Sequence, residues 1–325
     1  MGLECKTDKV PNKKVFAAAD GYIAKVRIES LGFGRAIYIN HPNGLTTLYA
    51  HLNEFYPELE NYIKEQQYKL KSWAVYVDVS ENLFPVTQGM FIAYSGNTGG
   101  SQGPHLPFEI RDTNTDKALN PLLFGFSVPD TIAPCIFRLS VYNMNISTYE
   151  QAPKIFSLKK VKGIYVTSPA LIIVNTNKVS FGISAFDRSS RSSNHNGIYQ
   201  TILYQNELPV TGFEIDNISY DETRYLNAHI DYTLRSSGGP FVQHLSKLPG
   251  YHNSIYNTTY GDGVITLDDD SVHTFTLDVK DANGNTSLIE LVIYQLLKEL
   301  VKLRNQISIF NNGCMHYSLQ NEKCM

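Results

Sequence analysis

Gly103-Pro104-His105-Leu106-Pro107-Phe108-Glu109-Ile110-Arg111 reads as a β-strand entered through a Gly-Pro turn, and its alternation decides the fold of the first third of the chain. Side chains alternate across a strand, so His105, Pro107 and Glu109 share one face while Leu106, Phe108 and Ile110 share the other. The second set is apolar and calls for a core. The first set carries an imidazole and a carboxylate, and calls for a surface where chemistry or binding takes place.

Working outward, Ala36 to Asn40 and Leu45 to Leu52 are apolar-rich runs separated by His41-Pro42-Asn43-Gly44. Asn-Gly between two such runs is a strong hairpin signal. His41, in that turn, is expected to be solvent-exposed. Val15 to Ile28 is strand-like around the Asp20-Gly21 turn, which Asp20 is expected to shape. Pro57 to Leu70 breaks the pattern: proline suits a first helical position, and Leu59, Tyr62, Ile63 and Gln66 recur at helical spacing. Strand signals resume at Ala74 to Val79 and Met90 to Ser95.

Pro129 to Pro134 has proline at both ends and reads as a stiff linker. Beyond it, Val179, Phe181, Ile183 and Ala185 alternate with polar residues. So do His273, Phe275, Leu277 and Val279, then Ile289, Leu291 and Ile293 after a turn at Asp281 to Asn285. Such runs indicate antiparallel sheet with one buried face. Gln295 to Asn305 has helical periodicity, and the polar residues after it read as a frayed tail. The expected fold class is therefore all-β, with one inserted helix in the first domain. The expected division is a first domain over 11–128, a linker over 129–135, a β-sandwich over 136–294 and a tail over 295–325.

The chain has 325 residues, of which 42% are hydrophobic and 18% charged, enough to bury sizeable cores. A formal net charge of -3 and the lack of any Lys/Arg run exclude a basic groove for nucleic acid. No apolar run is long enough for a membrane span, and the start of the chain as written has no apolar segment of the secretory type. Cys5, Cys135, Cys314 and Cys324 lack zinc-ribbon spacing and are expected to be unrelated thiols, a Cys314–Cys324 bridge being the alternative. Asp268-Asp269-Asp270 has the charge to bind calcium but not the ligand spacing of a calcium loop, and is expected to be a solvated run.

Three blocks, in order, resemble the lysostaphin/LytM-like family of zinc endopeptidases that cut bacterial peptidoglycan. They are Ala17-Ala18-Ala19-Asp20-Gly21-Tyr22-Ile23, then Asn40 to Gly44 with Thr47-Leu48-Tyr49-Ala50-His51-Leu52, then Gly89 to Ile92, Ser95-Gly96-Asn97-Thr98-Gly99 and the Gly103 to Arg111 strand. The resemblance covers about a third of the chain and implies the family's antiparallel β-sheet domain, followed as in larger envelope members by an immunoglobulin-like sandwich. It also implies a zinc ion held by the His and Asp of H-x-x-x-D and by the second His of H-x-H. Two further histidines assist the chemistry, and His51 and His105 match those supporting positions.

The ligands themselves are what this sequence lacks. Pro107 stands at the second His of H-x-H, and proline offers no lone pair to a metal. None of the nine histidines is followed four residues later by Asp. The strand that carries H-x-x-x-D is expected to be missing. His105 to Glu109 gives H-x-x-x-E, but on a strand those two are roughly 13 Å apart, too far to share an ion. A catalytic zinc needs about three protein ligands, so no cofactor is expected here, although intact members hold zinc.

These readings predict a peptidoglycan-associated protein of the cell envelope or periplasm, without peptidase activity. Its partner would be peptidoglycan or a cell-wall enzyme. His51 and His105 would be vestigial, with Tyr49, Asn97 and Glu109 lining a substrate groove. Two alternatives stand beside it. One is an active zinc endopeptidase, if an upstream segment supplies H-x-x-x-D; the other is the product of a decaying gene.

Overall fold

A computed structural model of the chain describes residues 1–126, 128–190, 192–251, 253–257 and 259–296. The fold is all-β, and the chain divides into two units: Met1–Ser127 with Ile215–Thr223, and Val128–Glu214 with Arg224–Met325. Among the described residues no helix is long and apolar enough to cross a membrane. The predicted terminal helix beyond Leu296, together with Cys314 and Cys324, lies outside the described residues; Gln295 is the last residue of a strand.

The first unit contains β1 (Leu3–Lys6), β2 (Lys14–Phe16), β3 (Gly21–Ile28), β4 (Arg35–Asn40), β5 (Leu45–Tyr49), β6 (Leu52–Phe55), α1 (Pro57–Leu70), β7 (Val75–Asp78), β8 (Pro85–Val86), β9 (Phe91–Ser95), β10 (His105–Asp112) and β11 (Ala118–Leu119). The main sheet runs β11-β10-β5-β4-β3-β7, with Asn217–Ile218 outside β11, β1 on β10 and β8 on β3. A small sheet, β2-β9-β6, packs with α1 on one face. Val26, Ile37, Ile39, Tyr49, Phe108 and Ile110 fill the space between, as the alternation of Leu106, Phe108 and Ile110 requires.

The helix forms where proline fixes its first turn, with Glu58 and Glu60 near the positive end of its dipole and Lys69 near the negative end. It stops at Lys71, which adopts a left-handed conformation (φ 49°) and closes the last turn with its backbone N–H. Leu59 and Ile63 enter the core, each contributing about 1.5–3 kcal/mol.

The second unit adds β12 (Cys135–Asn143), β13 (Lys154–Val161), β14 (Ile164–Val174), β15 (Lys178–Phe186), β16 (Gln200–Gln205) and β17 (Leu208–Glu214), then the long hairpin Val272–Lys280 and Thr286–Gln295. These pair in the order β15-β12-β13-β14, Thr286–Gln295, Val272–Lys280, β16, β17. One pairing departs from the antiparallel expectation: β14 runs parallel to Thr286–Gln295.

β15 also departs from simple alternation, because both of its faces are buried. Val179, Phe181 and Ile183 point to the main core, where the Phe181 and Phe275 rings lie 5.5 Å apart. The intervening Ser180, Gly182 and Ser184 are small, and the segment around Val242 to His244 packs onto them. A Cβ at Gly182 would come within 2.7 Å of the Val242 side chain.

The proline-flanked run is held to this unit rather than free. The Thr131 N–H donates to Ser190 Oγ, and Ser287 Oγ donates to the Pro134 carbonyl.

Candidate functional site

The first unit brings His51 and His105 together: their rings lie 4.9 Å apart at 61°. His105 opens β10. His51 follows β5, in a left-handed conformation (φ 54°) that non-glycine residues rarely adopt. Its N–H donates to the Phe33 carbonyl, which holds the bend. Gly96 lies against the same bend, where a Cβ would meet Asn53 N at 2.7 Å and the His51 carbonyl at 2.8 Å. Gly96 is thus a requirement of close packing around His51.

The His105 Nδ1–H donates to the Gly103 carbonyl at 2.7 Å, which fixes the ring and turns Nε2 towards Glu4 Oε2 at 3.0 Å. His51 Nδ1 is buried without a hydrogen-bond partner. Burial, with His105 adding to it, pulls the His51 imidazole below its ordinary pKa range.

Glu4 is the residue that the sequence reading missed. β1 pairs antiparallel with β10, placing Glu4 opposite Pro107 and Lys6 opposite His105. β1 thus adds a strand to this edge, with Glu4 opposite Pro107. Its only sequence signal is Leu3 and Cys5 alternating with Glu4 and Lys6, too short to distinguish from a loop.

Pro107 itself is buried, and its carbonyl accepts the Ala50 N–H at 3.2 Å. A residue's N and C=O point the same way in a strand, so the hydrogen that proline lacks would have pointed to the same edge. There β5 has already ended at Tyr49, and the ladder loses little.

Two of the three expected groove residues are engaged elsewhere. Tyr49 is 2% exposed on the opposite face of the sheet: it pairs across strands with Phe108, and its hydroxyl accepts the Ala18 N–H at 2.8 Å. Glu109 is on the face of His105 but is roofed over. Its Oε2 accepts from Arg111 Nε at 2.9 Å and Nη2 at 2.7 Å, and its Oε1 accepts from the Tyr220 hydroxyl at 2.9 Å. Only Asn97 remains exposed.

Arg111 is 3% exposed, and its guanidinium lies 4.6 Å from the Tyr220 ring centre and 5.5 Å from that of Tyr38. Burial opposes its charge, but Glu109, Tyr220 and Asp116 outweigh that and hold it more firmly protonated. Tyr220 comes from a segment distant in sequence, and no local pattern announced it.

His41 is buried rather than solvent-exposed. Its Nδ1–H donates to the Asp20 carbonyl and its Nε2 accepts from the Thr47 hydroxyl, each at 2.8 Å. It ties the β4–β5 turn to the start of β3, a structural role.

As a zinc centre this donor set does not match the expected one. Two imidazoles, His51 and His105, and the exposed carboxylate of Glu4 are present, and Glu109 is bound to Arg111. Among the described residues, no three His, Cys, Asp or Glu side chains of the first unit bring ligand atoms within 4.8 Å of one another.

Residues 2–68 match the profile of peptidase family M23. The chain is 32% identical over 116 residues to the DD-carboxypeptidase/endopeptidase Mpg of Neisseria meningitidis serogroup B (strain ATCC 13091), covering 36% of this chain and 21% of that protein. It is 33% identical over 108 residues to an uncharacterized metalloprotease of Haemophilus influenzae, covering 33% of this chain and 18% of that protein. The chain therefore matches about a fifth of the length of these relatives. The catalytic domain of lysostaphin from Staphylococcus simulans is similar at 24% identity over 35% of this chain and 71% of that one, with a TM-score of 0.26.

Proposed function

We propose that the first unit, whose residues 2–68 match peptidase family M23, is a LytM-like member of that family, and that this chain is a cell-envelope protein that binds peptidoglycan without cutting it. Pro107 carries the reading. A catalytic zinc needs about three protein donors and an open position for water. In intact members of the family that water is the nucleophile, its pKa lowered by the metal. With a proline at one ligand position, the strand keeps its shape and its supporting histidines but loses a donor. Exposed Asn97, and the His105–Glu4 pair once Glu4 swings away, then offer hydrogen bonds to a glycan-peptide strand. The second unit, read as an immunoglobulin-like sandwich, would serve as an attached β module.

The test is retention on purified cell wall, together with zinc content and clearing of wall suspensions. Retention above an unrelated β-sandwich protein, no clearing and sub-stoichiometric zinc are expected. Retention no better than the control would refute the binding role.

One observation favours a second reading, an active zinc endopeptidase. Glu4 Oε2 lies 3.0 Å from His105 Nε2, so a carboxylate stands beside the imidazole pair. Equimolar zinc with chelator-sensitive clearing, abolished by Glu4→Gln, would establish that reading and overturn the first.

A further inference from the structure

Outside the histidine pair, the second unit assembles three carboxylates from three separate parts of its chain. Asp130 lies in the proline-flanked run, Asp187 directly follows β15, and Asp281 opens the turn between Val272–Lys280 and Thr286–Gln295. One carboxylate oxygen of each lies within 4.8 Å of the other two. Two oxygens on one calcium ion, each at about 2.4 Å, are at most about 4.8 Å apart, so a single ion can touch all three.

Spacing alone would not make a site. The second observation is Asp187, which is 6% exposed and whose Oδ1 is buried with no hydrogen-bond partner. A buried carboxylate oxygen without a donor is costly unless something positive meets it. Among the described residues, none of the ion pairs reaches any of the three aspartates. The Arg188 guanidinium is turned to the Phe186 ring, 4.9 Å away, and to His195 Nε2 at 2.9 Å.

The other two aspartates are held in place by their surroundings. Asp281 is 3% exposed; its Oδ1 accepts the Asn283 and Asn285 N–H groups, each at 2.8 Å, and its Oδ2 accepts Asn285 Nδ2 at 2.7 Å. Asp130 Oδ1 accepts the Ile132 N–H at 3.0 Å, and its carbonyl accepts Asn285 Nδ2 at 3.3 Å. Asn285 thus ties the two segments together before any ion is considered.

The geometry points to a divalent-cation site of the calcium type at Asp130, Asp187 and Asp281, binding the entering run of the second unit to its sheet. The donors are all carboxylate oxygen, with no nitrogen or sulfur, which suits a hard cation and not zinc. Calcium takes 6–8 oxygens at about 2.3–2.6 Å, so water and carbonyl oxygens complete the shell. Without an ion, burial raises the Asp187 carboxyl to a pKa of about 6, with Asp281 and Asp130 adding and the Arg188 backbone N–H opposing.

The test uses the full chain stripped of metal by chelation, titrated with CaCl2 and separately with MgCl2, and read by calorimetry and thermal melting. One calcium per chain and a Tm rise of several degrees are expected, with Mg2+ weaker by at least tenfold. Asp187→Asn keeps the side-chain shape and should abolish the calcium response while leaving the metal-free Tm equal or higher, since it removes repulsion. Should Asp187→Asn misfold, Asp130→Asn, at a half-buried position, supplies the same comparison. No calcium-dependent shift up to 10 mM (about tenfold above the weak limit of extracellular sites, roughly 1 mM), or a shift that survives in both variants, would overturn the proposal. So would an equal response to Mg2+.

Discussion

Replacing Glu109 by leucine tests whether the face beside His105 is closed by an internal ion pair or is open to ligand. Glu109 and Arg111 are 9% and 3% exposed at their side chains, so each depends on the other for its charge. Removing the carboxylate strands a buried guanidinium. Asp116 also pairs with Arg111, at 3.0 Å, but it is 68% exposed, so water screens it too strongly to substitute. Breaking a buried pair from one side costs about 3–5 kcal/mol. In a domain of this size that corresponds to a fall in Tm of roughly 10 °C or more.

Removing both charges is a different experiment. In Glu109→Leu/Arg111→Met no charge is left buried, and the apolar side chains meet Phe33, Tyr38 and Tyr220. The double variant should recover most of the loss and melt above Glu109→Leu alone. Melting of the single and double variants, followed by hydrogen exchange at the β10 amides, reads this directly. A double variant as unstable as the sum of its singles would show that the pair is not held by mutual neutralisation. Wall binding is the second readout: if Glu109 serves Arg111 and Tyr220, Glu109→Gln should leave retention unchanged.

Two further outcomes follow from the strained and buried histidines. His51 has φ 54°, a conformation that costs an L-residue about 1–2 kcal/mol; His51→Gly should therefore melt above His51→Ala, and the reverse order would remove the backbone argument. In the second unit, burial lowers His229 to about 3, with His244 contributing, and lowers His244 to about 4 against the pull of Asp231. Above pH ~6.5 both are neutral folded or unfolded, whereas below it only the unfolded chain takes up protons. Stability should fall by at most about 1.4 kcal/mol per pH unit for each imidazole as pH drops from ~6.5 towards their folded values. Denaturation at pH 7 and pH 5 should give a shallower loss for His229→Gln than for the unaltered chain, and equal losses would rule His229 out.

Much of the first unit was legible because its signals are local. Asn43-Gly44 marked the β4–β5 turn, Pro57 the start of α1, and the alternation of Leu106, Phe108 and Ile110 the buried face of β10. The His51–His105 pair followed from the family resemblance, which sets both histidines at one site, and the structure brings their rings together. What stayed hidden depends on long-range pairing. β1 is four residues long and gains its meaning only by lying on β10. Tyr220 closes over Glu109 from far along the chain, and His41 is buried because its turn folds back on Asp20. The acidic run Asp268 to Asp270 drew notice yet lies exposed, with Asp269 bonded to Ser271. The carboxylates that gather are three isolated ones that no spacing rule connects.

The hydrogen-bond chain around His229 has a head and a tail. Gln243 Nε2 donates to His229 Nε2 at 3.1 Å, the His229 Nδ1–H donates to the Tyr256 hydroxyl at 2.7 Å, and that hydroxyl donates to the His244 carbonyl at 3.1 Å. Every hydrogen points in one direction along this relay, so the neutral tautomer of His229 is dictated from both ends. A proton arriving at Nε2 finds a donor already in its place. The Gln243 amide must turn over before it can be admitted, so charging this imidazole inside the folded core takes a side-chain rearrangement as well as acid.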